Sequence, residues 1–154
     1  MSRPHQALKI CSSLAEKIKN SVADFELILS PAMGGIIVGY ELGKLLNKKT
    51  IFSERVNGEF ELRRGFKIKK GMKVLIVEDV ITTGKSSIEC SKLVTLNKAI
   101  IAGYACIIDR SNNKSAITNK IISQVQLNIP TFKKNNLPDE LLSIEAIKPG
   151  SRNI

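Results

Sequence analysis

The sequence is poor in cysteine, histidine and aromatic residues, and each shortage argues against a class of site. Its three cysteines, Cys11, Cys90 and Cys106, are isolated and form neither a metal-ligand pattern nor a redox pattern. We expect them to be reduced thiols, buried or half-buried, in a cytosolic protein. The only histidine, His5, is expected at the surface. Because aromatic residues make up only 5% of the chain, little is available to stack against nucleic-acid bases.

Long apolar runs are absent as well. No run reaches the length needed to cross a bilayer, and residues 1–6 lack the apolar stretch of a secretory signal. These absences predict a cytoplasmic protein with no membrane partner. The 154 residues, 43% of them hydrophobic, suit a single domain over 1–154 with one substantial core.

The charge balance is strongly positive, with 24 basic residues against 14 acidic ones and a formal net charge of +10. A basic cleft would attract an anionic substrate, and a basic surface would attract nucleic acid. Compositional drift towards lysine is a third explanation. Since the lysines are scattered along the whole chain, drift together with an anionic substrate is favoured, and nucleic acid is not expected as a partner.

The most informative segment runs from Lys73 to Ser87. Residues 74–77 are all apolar, which predicts a strand buried on both faces, as in a parallel sheet. Glu78 and Asp79 follow at its carboxyl end, where such sheets bind ligands. A turn rich in hydroxyl groups comes next and leads into a predicted helix over residues 88–95.

The two halves of this segment favour different chemical groups. The carboxylates accept hydrogen bonds from hydroxyl groups or hold a metal through oxygen. The turn over residues 82–86 offers hydroxyl groups, a glycine and successive backbone N–H groups at a helix N-terminus, which suit a phosphate. A sugar phosphate would satisfy both halves. The alternative is a solvated acidic turn followed by an ordinary helix cap.

Predicted strands alternate with predicted helices along the chain, which indicates an α/β fold with a doubly wound, mainly parallel sheet. Asn57-Gly58 is a strong turn signal, so residues 59–66 are expected to form the second arm of a mobile hairpin. Helices are predicted over residues 4–19, 36–46, 88–95 and 137–146, and strands over 25–29, 49–54, 74–77, 99–108 and 125–127.

Three other loops are predicted to contribute to the same edge of the sheet. Residues 30–35 contain two glycines and leave the backbone open to a second anion, although close packing alone would also explain them. The guanidinium of Arg110 can form a bidentate pair of hydrogen bonds with the carboxylate of a ligand. Alternatively, Arg110 can form an ion pair with Asp109 beside it. Residues 53–66 carry Arg55, Arg63 and Arg64, which suits either a basic flap over a diphosphate or a solvated hairpin.

The segment beginning at Lys73 resembles the phosphoribosyl-diphosphate signature of the type I phosphoribosyltransferases. That signature is four apolar residues, two acids, two variable residues, Thr-Thr-Gly and a small hydroxyl residue. Five segments, taken together and in chain order, resemble those of the bacterial orotate phosphoribosyltransferases. They are the loops at 30–35, 54–66, 78–84 and 108–111 and the terminal 148–152 segment. The resemblance implies transfer of ribose 5-phosphate from phosphoribosyl diphosphate to orotate, a step of pyrimidine (UMP) biosynthesis.

The resemblance also implies a role for individual residues. Catalysis is assigned to Asp79, Glu78 and a basic flap residue, Arg55 or Arg63. Orotate is assigned to Thr82 and Arg110, and Mg²⁺ is expected to bridge substrate oxygens without a direct protein ligand. A homodimer is expected. The residues assigned to phosphoribosyl diphosphate are Glu78, Asp79, Val80, Ile81, Thr82, Thr83, Gly84, Lys85 and Ser86, with Ala32, Met33, Gly34 and Gly35 at its diphosphate.

The chain departs from the family pattern in three places. Residues 54–58 replace the flap pattern Arg-Lys-x-x-Lys-x-His-Gly, and Gly34 replaces a lysine. The chain is expected to begin after the segment that forms part of a hood over the base, so the hood is predicted to be reduced. Three alternatives follow: a phosphoribosyltransferase for a purine or other base, a regulatory module that binds RNA, and a truncated relative that binds phosphoribosyl diphosphate without turnover.

Overall fold

The computed structural model describes residues 2–112, 114–133, 135–145 and 147. Within them, helices and strands alternate much as the sequence predicts. The helices are α1 (Pro4–Ser21), α2 (Gly34–Leu46), α3 (Lys85–Leu96) and α4 (Asp139–Leu142), and the strands are β1 (Leu27–Pro31), β2 (Lys49–Val56), β3 (Glu59–Leu62), β4 (Lys73–Ile81), β5 (Ile100–Asp109) and β6 (Ile121–Gln126).

These strands form one sheet in the order β3-β2-β1-β4-β5-β6. All neighbouring strands run parallel except β2 and β3, which form an antiparallel hairpin. From β1 the chain winds outward to β2, and from β4 it winds outward in the other direction to β5 and β6. The boundary between β1 and β4 is therefore the switch point, where ligands bind in such sheets. The doubly wound, mainly parallel sheet predicted from the sequence is confirmed.

The sheet is covered on both faces. Leu75 and Val77 of β4 pack in one core cluster with residues of α1 and α2. Val74 and Ile76 pack in a second cluster with residues of α3. Because successive side chains of a strand point to opposite faces, burial on both sides explains why this strand is apolar without interruption.

Strand β4 is longer than predicted, because its pairing with β5 continues through Glu78, Val80 and Ile81. Glu78 and Asp79 therefore belong to the strand and not to the loop after it. Helix α3 also begins earlier than predicted, at Lys85. The loop that joins the two elements is shortened to residues 82–84.

The predicted Asn-Gly hairpin is present, with φ of 48° at Asn57 and 89° at Gly58. Its second arm ends at Leu62, where its pairing with Ser53 ends, and not at residue 66. Strand β6 lies earlier and is longer than expected, and α4 is shorter than the predicted helix. Residue 146, the end of that predicted helix, and the terminal segment 148–152 lie outside the described residues.

The cysteines and the histidine lie in the environments that the composition predicts. Cys11, Cys90 and Cys106 are free and buried, and His5 is exposed on α1. No helix in the described part of the chain has the length and apolar character that crossing a membrane requires.

Candidate active site

A cleft of about 760 Å³ opens at the carboxyl ends of β1 and β4. It lies at the switch point of the sheet, and it gathers segments that are far apart in the sequence. Most of the residues singled out from the sequence line it. The lining residues are Pro31, Ala32, Met33, Gly34, Gly35, Arg55, Phe60, Glu78, Asp79, Val80, Thr82, Thr83, Gly84, Lys85 and Ser86.

The half-buried carboxylate of Asp79 lies against the first residue of α2. A Cβ atom placed on Gly34 would be only 2.2 Å from Asp79 Oδ2. The same carboxylate accepts a hydrogen bond of 2.8 Å from the backbone N–H of Val80. Gly34 is therefore required for the observed position of Asp79, and no side chain, including the lysine of the family pattern, fits there without moving it.

Glu78 is held from the opposite face of the sheet. Its Oε2 accepts a hydrogen bond of 2.7 Å from the hydroxyl of Ser87, which is buried in α3. Asp79 meets α2, whereas Glu78 meets α3, because adjacent residues of a strand point to opposite faces. The carboxylates are thus not a side-by-side pair, yet both are half-buried and reach the cleft.

The turn after β4 ends at the N-terminus of α3. Gly84 occupies the N-cap position with φ of 76°, a conformation that glycine adopts without strain. The backbone N–H of Lys85 lies 3.4 Å from Thr83 Oγ1, and the carbonyl of Thr83 accepts a hydrogen bond of 2.9 Å from Ala116. The turn is therefore fixed, and the start of a 12-residue helix faces the cleft as a favourable site for an anion.

The loop after β1 lies across the cleft from this turn. Its Ala32 N–H donates a hydrogen bond of 2.9 Å to the carbonyl of Ser53 in β2. A Cβ atom on Gly35 would lie 3.0 Å from the carbonyl oxygen of Val77, so the loop passes tightly over β4. The N-terminus of α2 is thereby directed at the same cleft as that of α3.

Arg55 closes the hairpin side of the cleft. Its Nη2 donates a hydrogen bond of 2.5 Å to Glu89 Oε2 of α3, and its Nη1 donates to the carbonyl of Gly58. Its guanidinium carbon is 4.2 Å from the centre of the Phe60 ring. These three contacts fix a positive charge in the lining of the cleft.

Three of the residues assigned from the sequence do not line this cleft: Arg63, Ile81 and Arg110. Arg63 is exposed and follows β3, which runs antiparallel to β2 and so carries the chain away from the site. The side chain of Ile81 is buried in the core. Arg110 is half-buried after β5, and its backbone N–H donates a hydrogen bond of 2.8 Å to the carbonyl of Ile81. The three residues therefore do not contribute to the lining of the cleft.

Another flap arginine forms an ion pair away from the cleft. Arg64 donates to both carboxylate oxygens of Glu54 at 2.8 and 2.9 Å, and this hydrogen bonding lowers the pKa of Glu54. Of the three flap arginines, only Arg55 lines the cleft.

The cysteines offer no activated nucleophile. Burial raises the pKa of both Cys90 and Cys106 to about 12, so both remain neutral thiols near neutral pH. The thiol of Cys90 lies 3.2 Å from the hydroxyl of Ser53 beneath the cleft.

Several contributors were not given a role from the sequence. Phe60 supports Arg55, Ser87 holds Glu78, and Glu89 holds Arg55. For Glu89 the only local signal is its position four residues after Lys85, a helical spacing that brings opposite charges together. The contacts of Ser87 and Phe60 depend on how distant segments pair, so no local sequence pattern predicts them.

The described residues contain no group of three or more His, Cys, Asp or Glu side chains that could hold a metal ion. The cleft does contain the carboxylates of Glu78 and Asp79. Carboxylate oxygens are ligands of the kind that Mg²⁺ accepts, usually together with water and substrate phosphates. The donor set therefore fits an ion shared with a phosphorylated substrate.

Comparison with known proteins agrees with this geometry. Residues 3–140 match the family described as Phosphoribosyl transferase domain. A curated relative, orotate phosphoribosyltransferase of Parvibaculum lavamentivorans, is 44% identical over 152 residues, covering 98% of this chain and 78% of the relative. At this identity and coverage the likeness extends over nearly the whole chain.

Solved structures show the same fold. Adenine phosphoribosyltransferase of Thermoanaerobacter pseudethanolicus is 19% identical with a TM-score of 0.67, covering 80% of this chain and 79% of that one. Orotate phosphoribosyltransferase of Aeropyrum pernix is 20% identical with a TM-score of 0.64, covering 82% of this chain and 72% of that one. The sequence, the sheet and the cleft thus lead to one conclusion: the chain belongs to the phosphoribosyltransferase family, and a curated relative 44% identical to it is named orotate phosphoribosyltransferase.

Proposed function

We propose that this protein is an orotate phosphoribosyltransferase acting as a single domain over residues 1–154. It transfers ribose 5-phosphate from phosphoribosyl diphosphate to orotate, and it releases orotidine 5'-phosphate and diphosphate in pyrimidine biosynthesis. The observation that carries the proposal is that two carboxylates and two helix N-termini line one cleft. The relative at 44% identity, named orotate phosphoribosyltransferase, supports the choice of base.

The cleft offers a separate surface to each part of the donor substrate. Glu78 and Asp79 accept hydrogen bonds from the ribose hydroxyl groups. The turn over residues 82–86 binds the 5-phosphate, and the loop over residues 32–35 binds the diphosphate through backbone N–H groups. The lining of the cleft supports this division, because it includes the carboxylates, the turn and the loop.

During transfer, the bond between ribose C1 and the diphosphate oxygen breaks, a bond from C1 to the orotate nitrogen forms, and the proton of that nitrogen leaves to solvent or to the diphosphate. The bonding electrons leave with diphosphate, so positive charge develops on the sugar ring. Half-buried carboxylates beside the ring stabilise that charge, and Arg55 stabilises the departing diphosphate. Of the two flap arginines considered from the sequence, Arg55 suits this role because it lines the cleft.

Orotate is assigned to Thr82 and Arg110. Thr82 lines the cleft beside β5, and the N–H of Arg110 is bonded to β4 at Ile81. The Arg110 Nε is buried and has no hydrogen-bond partner among the described residues. Because Arg110 does not line the cleft, its side chain must reorient to bring this unsatisfied donor to the carboxylate that orotate carries.

Mg²⁺ is proposed as the cofactor, held chiefly through oxygens of the substrate. When bound, it neutralises negative charge on the diphosphate. Glu78 and Asp79 keep their role towards the ribose hydroxyl groups.

A homodimer and a cytoplasmic location belong to the same proposal. Ile37 and Tyr40 are exposed on one face of α2, and Met33 is exposed at its N-cap, at the spacing of successive helical turns. Such an apolar stripe beside the cleft suits contact with a second copy. Sedimentation should give twice the chain mass, and Tyr40→Glu should shift the protein towards a monomer. The three free, buried cysteines are in keeping with a reducing compartment.

The test is direct. The purified protein is mixed with orotate, phosphoribosyl diphosphate and Mg²⁺, and the loss of orotate absorbance is followed. We expect turnover with orotate and none with adenine or hypoxanthine in parallel reactions. Absence of turnover from folded protein would remove the catalytic proposal. Turnover with a purine but not with orotate would show that the acceptor is a purine.

A further inference from the structure

Glu89 of α3 is a shared partner of two cations that line the cleft. Its Oε2 lies 2.5 Å from Arg55 Nη2, and its Oε1 lies 4.0 Å from Lys85 Nζ. The side chain of Glu89 is 22% exposed, compared with 41% for Arg55 and 78% for Lys85. One carboxylate, set behind the lining of the cleft, therefore neutralises part of the charge of Arg55 and, more weakly, that of the exposed Lys85.

The guanidinium of Arg55 does not depend on Glu89 alone for its position. It also contacts the carbonyl of Gly58 and stacks on Phe60. Arginine has five N–H donors, so the two engaged here leave others for an anion in the cleft. Removing the charge of Glu89 should therefore leave Arg55 beside the cleft and make it more attractive to anions.

We propose that Glu89 sets the affinity of the cleft for diphosphate, because it is the counter-ion of Arg55 and Lys85. This inference rests on the proposed function, which puts diphosphate beside Arg55. A diphosphate that enters the cleft must share the positive charge of Arg55 with Glu89 and is also repelled by the charge of Glu89. Glu89 thus acts through the charges of Arg55 and Lys85, weakens product binding and favours release of diphosphate.

The experiment is a calorimetric titration of the full chain with inorganic diphosphate and Mg²⁺ at low ionic strength. Relative to the unsubstituted protein, Glu89→Gln should lower the Kd for diphosphate by roughly threefold to tenfold. The gain should shrink as salt is added, since screening weakens interactions between partly exposed charges. Steady-state kinetics of Glu89→Gln should show a lower KM for phosphoribosyl diphosphate. The kcat should also fall, because tighter binding slows the release of diphosphate.

Glu54→Gln is the matched control. Glu54 pairs with Arg64 in the same hairpin, and their side chains are 21% and 62% exposed, but neither residue lines the cleft. The same loss of one negative charge should therefore leave the Kd unchanged. In a double-mutant cycle, most of the gain from Glu89→Gln should disappear in an Arg55→Gln background, with the remainder acting through Lys85.

The outcomes separate the two proposals. If the unsubstituted protein binds diphosphate but Glu89→Gln binds it equally or more weakly, the counter-ion role is overturned. An equal gain from Glu54→Gln would overturn it too, by showing a general effect of charge. If the unsubstituted protein binds no diphosphate, the proposed function fails, and this inference loses its basis. A defect in folding predicts weaker binding, so tighter binding by Glu89→Gln alone supports the inference.

Discussion

The hydroxyl of Ser87 donates a hydrogen bond of 2.7 Å to the carboxylate of Glu78. Ser87 lies in the first turn of α3 and is fully buried, whereas Glu78 is half-buried in β4. The helix that begins at the phosphate-suited turn thereby also restrains a carboxylate assigned to the ribose. The two proposed substrate contacts are therefore coupled through one helix.

Ser87→Ala should weaken the binding of phosphoribosyl diphosphate because Glu78 loses a donor that orients it. We expect KM for this substrate to rise several-fold, and the free energy of unfolding to fall by about 1 kcal/mol. Steady-state kinetics and chemical denaturation measure the two effects. Ser91→Ala is the control, since the Ser91 hydroxyl bonds only to the Ile88 carbonyl in its own helix. Equal KM values for both variants would refute the role of Ser87.

Gly34→Ala should displace the carboxylate of Asp79. The added Cβ would lie 2.2 Å from Asp79 Oδ2, far inside van der Waals contact. Misplacement of a reacting group by about 1 Å can lower turnover roughly a hundredfold, and we expect a loss of that order in kcat/KM. Gly103→Ala in β5 is the comparison, because its nearest neighbour would be 3.4 Å away. Full activity of Gly34→Ala would show that the position of Asp79 is not critical.

Asp79→Asn tests the charge itself. The substitution keeps the shape of the side chain but removes the negative charge at the proposed ribose position. Turnover should fall roughly a hundredfold, in line with the loss of one preorganised electrostatic contact. Thermal unfolding should change little. Asp24→Asn provides the same chemical change at an exposed site, 3.4 Å from Lys73, and should keep normal activity. Unchanged kcat for Asp79→Asn would contradict the assigned role.

Alkaline pH should destabilise the fold through the buried thiols. Burial raises the pKa of Cys90 from 9.0 to about 12. The unfolded chain therefore loses this proton at lower pH than the folded chain does. The contribution to stability is fully present below pH 9.0 and is lost as pH rises towards about 12.

Urea denaturation at several pH values measures this effect. The free energy of unfolding of the unsubstituted protein should fall more steeply above pH 9 than that of Cys90→Ala. Cys106 has the same raised pKa, so part of the slope should remain. Ser91 is a nearby residue that does not titrate, so Ser91→Ala should leave the pH dependence of the free energy of unfolding unchanged. Identical slopes for Cys90→Ala and the unsubstituted protein would contradict the expected titration.

Local segments were predictable because their chemistry lies in adjacent residues. The apolar run before Glu78 predicts a strand buried on both faces, and the surroundings of β4 bear this out. The Asn57-Gly58 pair predicts a two-residue hairpin, which is present because these two residues adopt positive φ. The assignment of the turn over residues 82–86 to an anion likewise used only the order of hydroxyl residues, glycine and helix.

Other features depend on pairing between distant strands. The ladder with β5 keeps Glu78 and Asp79 within β4, so their side chains turn to opposite faces and meet different helices. The antiparallel return of β3 takes Arg63 away, although Arg55, only eight residues earlier, lines the cleft.

The sequence by itself determined the elements, the order of the loops and the chemical groups that each loop offers. Only the tertiary structure decided which of those groups meet: Asp79 with Gly34, Glu78 with Ser87, and Arg55 with Glu89. The physical reason is that strand alternation, register and helix packing set the direction of each side chain. These depend on contacts between residues tens of positions apart, which no local pattern contains.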